Sequence, residues 1–213
     1  MAKMMLIDTS KCTACRGCQV ACKQWNQNKA VKTTFTGTYQ NPPKVDGDTW
    51  TMVNFKEVPN GADYGINWIF TKQQCRHCAD PYCRYGTKAG DASSESIIKD
   101  EATGAILFTD KSKGESLESV FGSCPYGIPT ARKDGTLVKC NLCIDRISDG
   151  LLPACVQACP TGTLTFGDKD AMLAKAKARL AKVKAQYPKA KLYPDDDTHV
   201  KWILVSDESD HFS

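Results

Sequence analysis

The sequence predicts an α+β chain built as two related lobes, with an irregular insertion and a helical extension at the C-terminal end. Three observations predict it. Twelve cysteines fall in short runs of regular spacing within 213 residues. Apolar stretches such as GINWIF, ILF and WILV are brief, which suits short strands between cysteine loops. After Gly167 the composition turns to alanine and lysine at helical period.

The first element is the run CTACRGCQVAC, with Cys12, Cys15, Cys18 and Cys22. Disulfides account for it poorly: the chain is long enough to bury a core without them, and neighbouring thiols in such a run would compete for strained bridges. Thiolates converging on a metal centre make the crowding useful. A zinc ribbon takes two separated C-x2-C knuckles around one tetrahedral ion, which leaves a third cysteine in step without a place. The bacterial ferredoxin run C-x2-C-x2-C-x3-C-P instead lays three thiolates on one iron–sulfur cubane and sends its fourth to another. Cys12 to Cys22 keep that spacing. The later cysteines are Cys75, Cys78 and Cys83, then Cys124 before Pro125, then Cys140, Cys143, Cys155 and Cys159 before Pro160. Proline after the last thiol ends the turn where the chain leaves the cluster.

Twelve thiolates at four per cubane make three [4Fe-4S] clusters with none left over. By the interlocking rule the first takes Cys12, Cys15, Cys18 and the remote Cys159, and the second takes Cys140, Cys143, Cys155 and the remote Cys22. The third takes Cys75, Cys78, Cys83 and Cys124. Read backwards from Cys124 at ferredoxin spacing, the places of three further thiols hold Val120, Leu117 and Gly114, and the place four after Cys83 holds Thr87. GESLESVFGSCP therefore reads as a ferredoxin run emptied of one cubane. The plainer alternative is a surface helix with a single cysteine.

Between the runs, SIIKDEATGAILFTD predicts a hairpin, with apolar Ile97, Ile98 and Ile106 to Phe108 around a turn that ends in Gly104. Residues 36–69, rich in Gly, Pro, Asn and Thr, read as an irregular insertion. AMLAKAKARLAKVKAQY reads as a helix started by Asp168 or Asp170, with Leu173, Ala176, Leu180, Val183 and Tyr187 on one stripe. Eight of the 28 Lys and Arg lie in 169–191, a solvated helix face rather than a nucleic-acid or membrane surface. The formal charge of +4 points to nucleic acid no better, since twelve thiolates on three cubane cores of about +2 bring it to about −2.

No run approaches the roughly 18 to 20 apolar residues of a bilayer-spanning helix. The N-terminal apolar patch is too short for a secretory signal, so export would depend on a partner. There is no G-x-G-x-x-G, no Walker loop and no C-x-x-C-H. With every iron position filled by cysteine, the sequence predicts no catalytic residue. Of the three histidines, His77, His199 and His211, the first lies inside a cysteine motif and reads as a cluster neighbour or surface residue. Trp25, Tyr82 and Tyr126 read as core that shields the clusters.

DTSKCTACRGCQVACKQWN, CRHCADPYC, CPYGIP and KCNLCIDRISDGLLPACVQACPTGTLTFG resemble the electron-transfer subunits of molybdenum- or tungsten-dependent oxidoreductases of the dimethyl sulfoxide reductase superfamily. CKQWN and QNPP at 40–43 bring the resemblance nearest to the small (beta) iron–sulfur subunit of soluble tungsten-containing formate dehydrogenases of sulfate-reducing bacteria. The resemblance covers about residues 3–168. It implies two ferredoxin-like lobes, a duplicated bacterial ferredoxin fold. Residues 1–35 with 136–168 would carry two clusters, and residues 70–135 one cluster and the emptied site. Residues 36–69 would be the insertion and 169–213 the extension.

The resemblance also implies a heterodimer with a large catalytic subunit, whose tungsten or molybdenum pterin centre oxidises formate. Electrons would leave singly through the clusters to a soluble acceptor such as a multihaem cytochrome c. Family members are carried folded to the periplasm by a partner with a twin-arginine signal, the cytoplasm being the alternative. Two departures from the four-cluster pattern, the missing cluster and the missing C-terminal membrane helix, point to a soluble enzyme. The rival readings are a subunit serving nitrate, polysulfide or sulfoxide, a free-standing polyferredoxin, and a structural zinc module.

Overall fold

In the computed structural model, residues 2–61 and 65–212 are described. The elements are β1 (Lys3–Asp8), α1 (Gly17–Trp25), a long hairpin of β2 (Met52–Pro59) and β3 (Ile66–Gln73), and a short one of β4 (Ile97–Lys99) and β5 (Ile106–Phe108). Then come α2 (Leu117–Gly122), β6 (Thr130–Ala131), β7 (Leu137–Val138), α3 (Ile144–Ser148), α4 (Ala154–Gln157), β8 (Leu164–Asp168), α5 (Lys169–Lys184), β9 (Lys191–Tyr193) and β10 (Val200–Leu204). This mixture of short helices and short strands is the α+β class that the sequence predicts.

The main sheet has the order β8–β1–β10–β9. β1 reads as a continuous apolar run because both of its faces are covered. Met5 and Ile7 point toward the cysteine loops, in one core with Leu164, Val200, Trp202 and Leu204. Met4 and Leu6 point the other way, with Ile203, onto Met172, Ala176 and Val183 of α5. Each such buried side chain stabilises by roughly 1.5–3 kcal/mol. The helical stripe lies where its period predicts, with Leu173, Leu180 and Tyr187 beside the buried residues. Three layers result: α5, the sheet, and the thiol-bearing loops with α1 and α4.

Two parts of the chain differ from expectation. Residues 36–69 are not irregular throughout, because β2 and β3 pair over eight residues from Met52↔Gln73 to Pro59↔Ile66. Their turn begins with Asn60-Gly61, a hairpin signal diluted by the glycine and proline around it. The C-terminal extension is also more than a helix. β10 lies inside the main sheet, parallel to β1 from Met5↔Val200 to Asp8↔Ile203, and Trp202 is wholly buried. A parallel partner almost two hundred residues away leaves no local pattern to read.

The short hairpin forms as expected, with Ile97↔Phe108, Ile98↔Leu107 and Lys99↔Ile106. Gly104 closes its turn at φ +80°, and a Cβ there would stand 2.0 Å from the His199 ring, so only glycine fits.

Candidate metal centres

The fold gathers the twelve thiols into three groups of four. Cys12, Cys15, Cys18 and Cys159 line one cavity. Cys75, Cys78, Cys83 and Cys124 line another, walled also by Ile106, Tyr126 and Ile128. Cys22, Cys140, Cys143 and Cys155, the second group in the order given above, are all buried and each lies within electrostatic range of others in the group. These are the groupings that the spacing names. Among the described residues, no three His, Cys, Asp or Glu side chains converge on a single-ion site. Two of the groups stand around a cavity, four thiols to each, a donor set that suits a cubane.

Local structure explains why adjacent cysteines part company. Cys18 and Cys22 lie one turn apart on α1, and Cys155 and Cys159 stand four residues apart on α4 and its exit. Each of these segments thus gives one thiol to the first group and one to the second. α1 packs on α4, so the two exchanges occur side by side.

Three of the four C-x2-C loops share one backbone device. In Cys12–Cys15, Cys75–Cys78 and Cys140–Cys143, the residue before the second cysteine is left-handed: Ala14 at φ 54°, His77 at φ 51° and Leu142 at φ 58°. That conformation costs an L-residue roughly 1–2 kcal/mol, so three uses need a common cause. The turn aims its own N–H at the first thiol of the loop. His77 N–H donates to Cys75 Sγ at 3.4 Å, and the N–H groups of Ala14 and Leu142 do the same for Cys12 and Cys140. Backbone N–H groups converging in this way make an anion-binding concavity, suited to thiolates on a cluster.

Burial pushes most of these thiols up: Cys18 and Cys140 to about 11, Cys78, Cys83 and Cys143 to about 12, and Cys12, Cys22, Cys124 and Cys155 in the same direction. Thiolates so enclosed need positive charge, which cluster iron supplies. Cys159 goes the other way. Burial raises it, but backbone N–H groups of Leu164, Thr161 and Thr163 and the Thr161 hydroxyl outweigh that.

Further positive charge comes from side chains that sequence reasoning missed. Lys72 and Lys139 are both buried, and so is Arg76, whose guanidinium lies 4.6 Å from the Tyr126 ring and 4.7 Å from that of Trp202. The signal was faint: Arg76 sits inside CRHC, Lys139 just before Cys140, and Lys72 at the end of an apolar strand.

His77 is fully buried, so the surface alternative is corrected. Its Nδ1 accepts the Ile106 N–H at 3.0 Å, and burial, aided by the nearby Lys139, holds the ring neutral. Trp25 and Tyr82 are 42% and 43% exposed, so neither is shielding core. Trp25 caps the outer end of α1, with its indole N–H on Asp145 at 2.8 Å. Tyr126 is half-buried in the third cavity's wall, its hydroxyl donating to Asp196 at 3.0 Å.

Of the positions read as emptied, Thr87 and Val120 are buried, and Gly114 and Leu117 lie at the surface. Val120 is fully buried against Cys83, Ile97, Ile106 and Leu137. α2 lies directly on the turn 82–86, so close that a Cβ on Gly86 would stand 2.5 Å from the Ser119 carbonyl oxygen. Leu117 and Phe121 face outward, which makes α2 half surface and half core.

No helix among the described residues is long and apolar enough to cross a membrane. Residues 66–169 match a family profile described as a 4Fe-4S dicluster domain. Formate dehydrogenase subunit beta of Megalodesulfovibrio gigas is 48% identical over 207 residues, which cover 96% of this chain and 94% of that one. Formate dehydrogenase 2 subunit beta (cytochrome c-553) of Nitratidesulfovibrio vulgaris is 44% identical, covering 100% and 97%. The iron–sulfur subunit of the nitrate-inducible formate dehydrogenase of Escherichia coli is 37% identical, covering 93% of this chain and 67% of that one. With the thiol groups in place and likeness of this extent along the whole chain, the protein belongs to the iron–sulfur (beta) subunits of formate dehydrogenases.

Proposed function

We propose that the chain carries three [4Fe-4S] clusters in a duplicated ferredoxin fold and passes electrons singly from a formate-oxidising catalytic subunit to a soluble cytochrome c. The first cluster is held by Cys12, Cys15, Cys18 and Cys159, the second by Cys22, Cys140, Cys143 and Cys155, and the third by Cys75, Cys78, Cys83 and Cys124. The observation that carries this reading is the loop used three times, with a left-handed residue presenting its N–H to the first thiol of the Cys12–Cys15, Cys75–Cys78 and Cys140–Cys143 pairs. Formate oxidation releases carbon dioxide, a proton and two electrons, and the bound clusters supply one-electron acceptance and donation.

The protein's own residues order and insulate that path. Cys155 lies within electrostatic range of Cys18, and Cys140 within range of Cys75, which supports the second cluster standing between the first and the third. Cys15 is exposed, so the first group reaches the surface. Beside it the Arg16 guanidinium lies 4.7 Å from the Phe55 ring, in an aromatic face continued by Phe70, Trp68 and Tyr39. That face receives the catalytic subunit. The closed position at Val120, beside the third group, marks the acceptor end. The tungsten pterin of the catalytic subunit and joint export of the heterodimer to the periplasm rest on likeness to the sulfate reducers' enzymes.

The test is iron and zinc per polypeptide in the anaerobically purified complex, with formate-dependent bleaching near 400 nm. About twelve irons per chain, bleached by formate only when the catalytic subunit is present, are expected. About three zincs and no iron would overturn the reading. Tungsten analysis of the complex and fractionation of the periplasm check the remaining parts.

A further inference from the structure

Two lysines lie where an ammonium is least favoured. Lys72 is 2% exposed and Lys139 4%, and among the described residues neither meets a carboxylate within ion-pair distance. A buried charge of this kind persists only where something compensates it.

Lys72 walls the first cavity together with Cys12, Cys15, Cys18 and Cys159, and its Nζ donates to Gln74 Oε1. The same ammonium lies within electrostatic range of Cys22, Cys140 and Cys155 of the second group. Its backbone is pinned from two sides. The Trp202 indole N–H donates to its carbonyl at 3.0 Å, and its strand partner Val53 donates to Gln19 Oε1 at 2.8 Å, next to Cys18 on α1.

Lys139 walls the third cavity and acts on Cys78 and Cys83. It is also chain neighbour to Cys140 of the second group. Its Nζ donates to the carbonyls of Ile106 at 2.5 Å and Cys140 at 2.9 Å, and lies 5.0 Å from the Phe108 ring. Each lysine thus stands between two consecutive thiol groups, and the second group has one on either side.

A cubane on four thiolates is anionic and becomes more so when it takes an electron. A fixed cation nearby, in a site where water screens little, therefore favours the reduced form. We propose that Lys72 and Lys139 are the fixed charges that set the cluster potentials, each raising the two clusters it stands between and together raising the middle one most. A middle cluster left too reducing would be a barrier to the electron; two flanking cations keep it within reach of its neighbours. The proposal rests on the three-cluster reading above.

The experiment is a redox titration of the anaerobic heterodimer followed by electron paramagnetic resonance, with iron counted in every sample, for wild type and for Lys72→Met, Lys72→Arg, Lys139→Met and Lys139→Arg. At fixed potential, Lys72→Met is expected to shift the reduced-to-oxidised ratio tenfold or more toward oxidised, about 59 mV for a one-electron couple, at the first and second clusters. The third should stay put. Lys139→Met should move the second and third and spare the first, and both arginine variants should restore wild-type ratios.

Iron-replete methionine variants with unshifted potentials, or with all three clusters shifted equally, would overturn the proposal. If the methionine variants lose iron, the arginine variants decide. Full iron at wild-type potential would support the role of charge, and iron loss there too would mean that shape matters and charge does not. A wild type with fewer than three cubanes would sink the cluster reading itself, whereas three cubanes with unmoved potentials would sink only the role of the lysines.

Discussion

Gly86→Ala tests whether the fourth cluster position is closed by packing. Gly86 ends the turn that carries Cys83, and its Cα faces the backbone of α2. A Cβ would stand 2.5 Å from the Ser119 carbonyl oxygen and 2.7 Å from Val120 Cα, and neither atom is the tip of a side chain that can swing away. Ordinary C···O contacts begin near about 3.3 Å, so α2 must retreat by about 0.8 Å. Val120 would move with it and loosen the core it shares with Cys83, Ile97, Ile106 and Leu137. Overpacking of this kind costs about 1–3 kcal/mol, roughly a 5- to 150-fold change in the equilibrium that keeps the third group shut. The assay is an anaerobic guanidinium titration followed near 400 nm. About one third of the absorbance, one cubane of three, should bleach at lower denaturant than the rest. Gly114→Ala is the control, because the only atom near its Cβ would be the flexible Lys88 Nζ at 3.8 Å. A Gly86→Ala curve that overlays the control would refute the claim that α2 is seated on that turn.

Other consequences of the structure are as direct. Trp202→Ala should destabilise the protein by about 3–5 kcal/mol and Trp202→Phe by about 1–2, the latter through the lost bond to Lys72; a denaturant midpoint barely moved by alanine would show β10 to be dispensable. Ile66→Ser with Trp68→Ser, at positions 51% and 55% exposed, should leave stability within about 0.5 kcal/mol yet weaken binding to the catalytic subunit at least about tenfold. An unchanged dissociation constant would place the docking face elsewhere. Burial pulls the His211 imidazole down to about 4, so its contribution is complete above the ordinary histidine value of about 6.5 and is lost as pH falls from there toward 4. Across that window it amounts to up to about 3 kcal/mol, and His211→Asn should flatten that part of the stability curve measured by denaturant titration. An unaltered slope would assign the acid sensitivity to other groups.

The thiol groups were legible in the sequence because the ligand geometry is written in local spacing: three of each four thiols come from one or two neighbouring loops, and the fourth follows from the interlocking rule. The α5 stripe and the hairpin around Gly104 were legible for the same reason, each being a period or turn contained within a few residues. What escaped was non-local. β10 earns its place only through β1, and Lys72 and Lys139 look like surface lysines until the loops fold around them. Trp25 and Tyr82 misled in the opposite sense, since proximity to a cysteine motif says nothing about which side of the loop faces solvent. The β2–β3 hairpin was hidden by composition, although Asn60-Gly61 marked its turn.

Ala14, His77 and Leu142 share no chemistry in their side chains, only a place in the loop, a positive φ and an N–H aimed at sulfur. The backbone must therefore be what the site uses, and this can be tested at Ala14, the smallest of the three. Glycine adopts that conformation freely, so Ala14→Gly should keep full iron and stability within about 0.5 kcal/mol. Proline cannot reach φ 54° and has no N–H for Cys12, so Ala14→Pro should lose the first cluster alone and lower the iron from about twelve to about eight. Because the first group is the one that reaches the surface beside the aromatic face, formate should then reduce nothing in the complex, while dithionite still bleaches the other two clusters. Full iron in Ala14→Pro would show that the left-handed turn follows from cluster binding and is not needed for it. Formate-dependent bleaching in a variant lacking the first cluster would put the entry point of the electrons at another group.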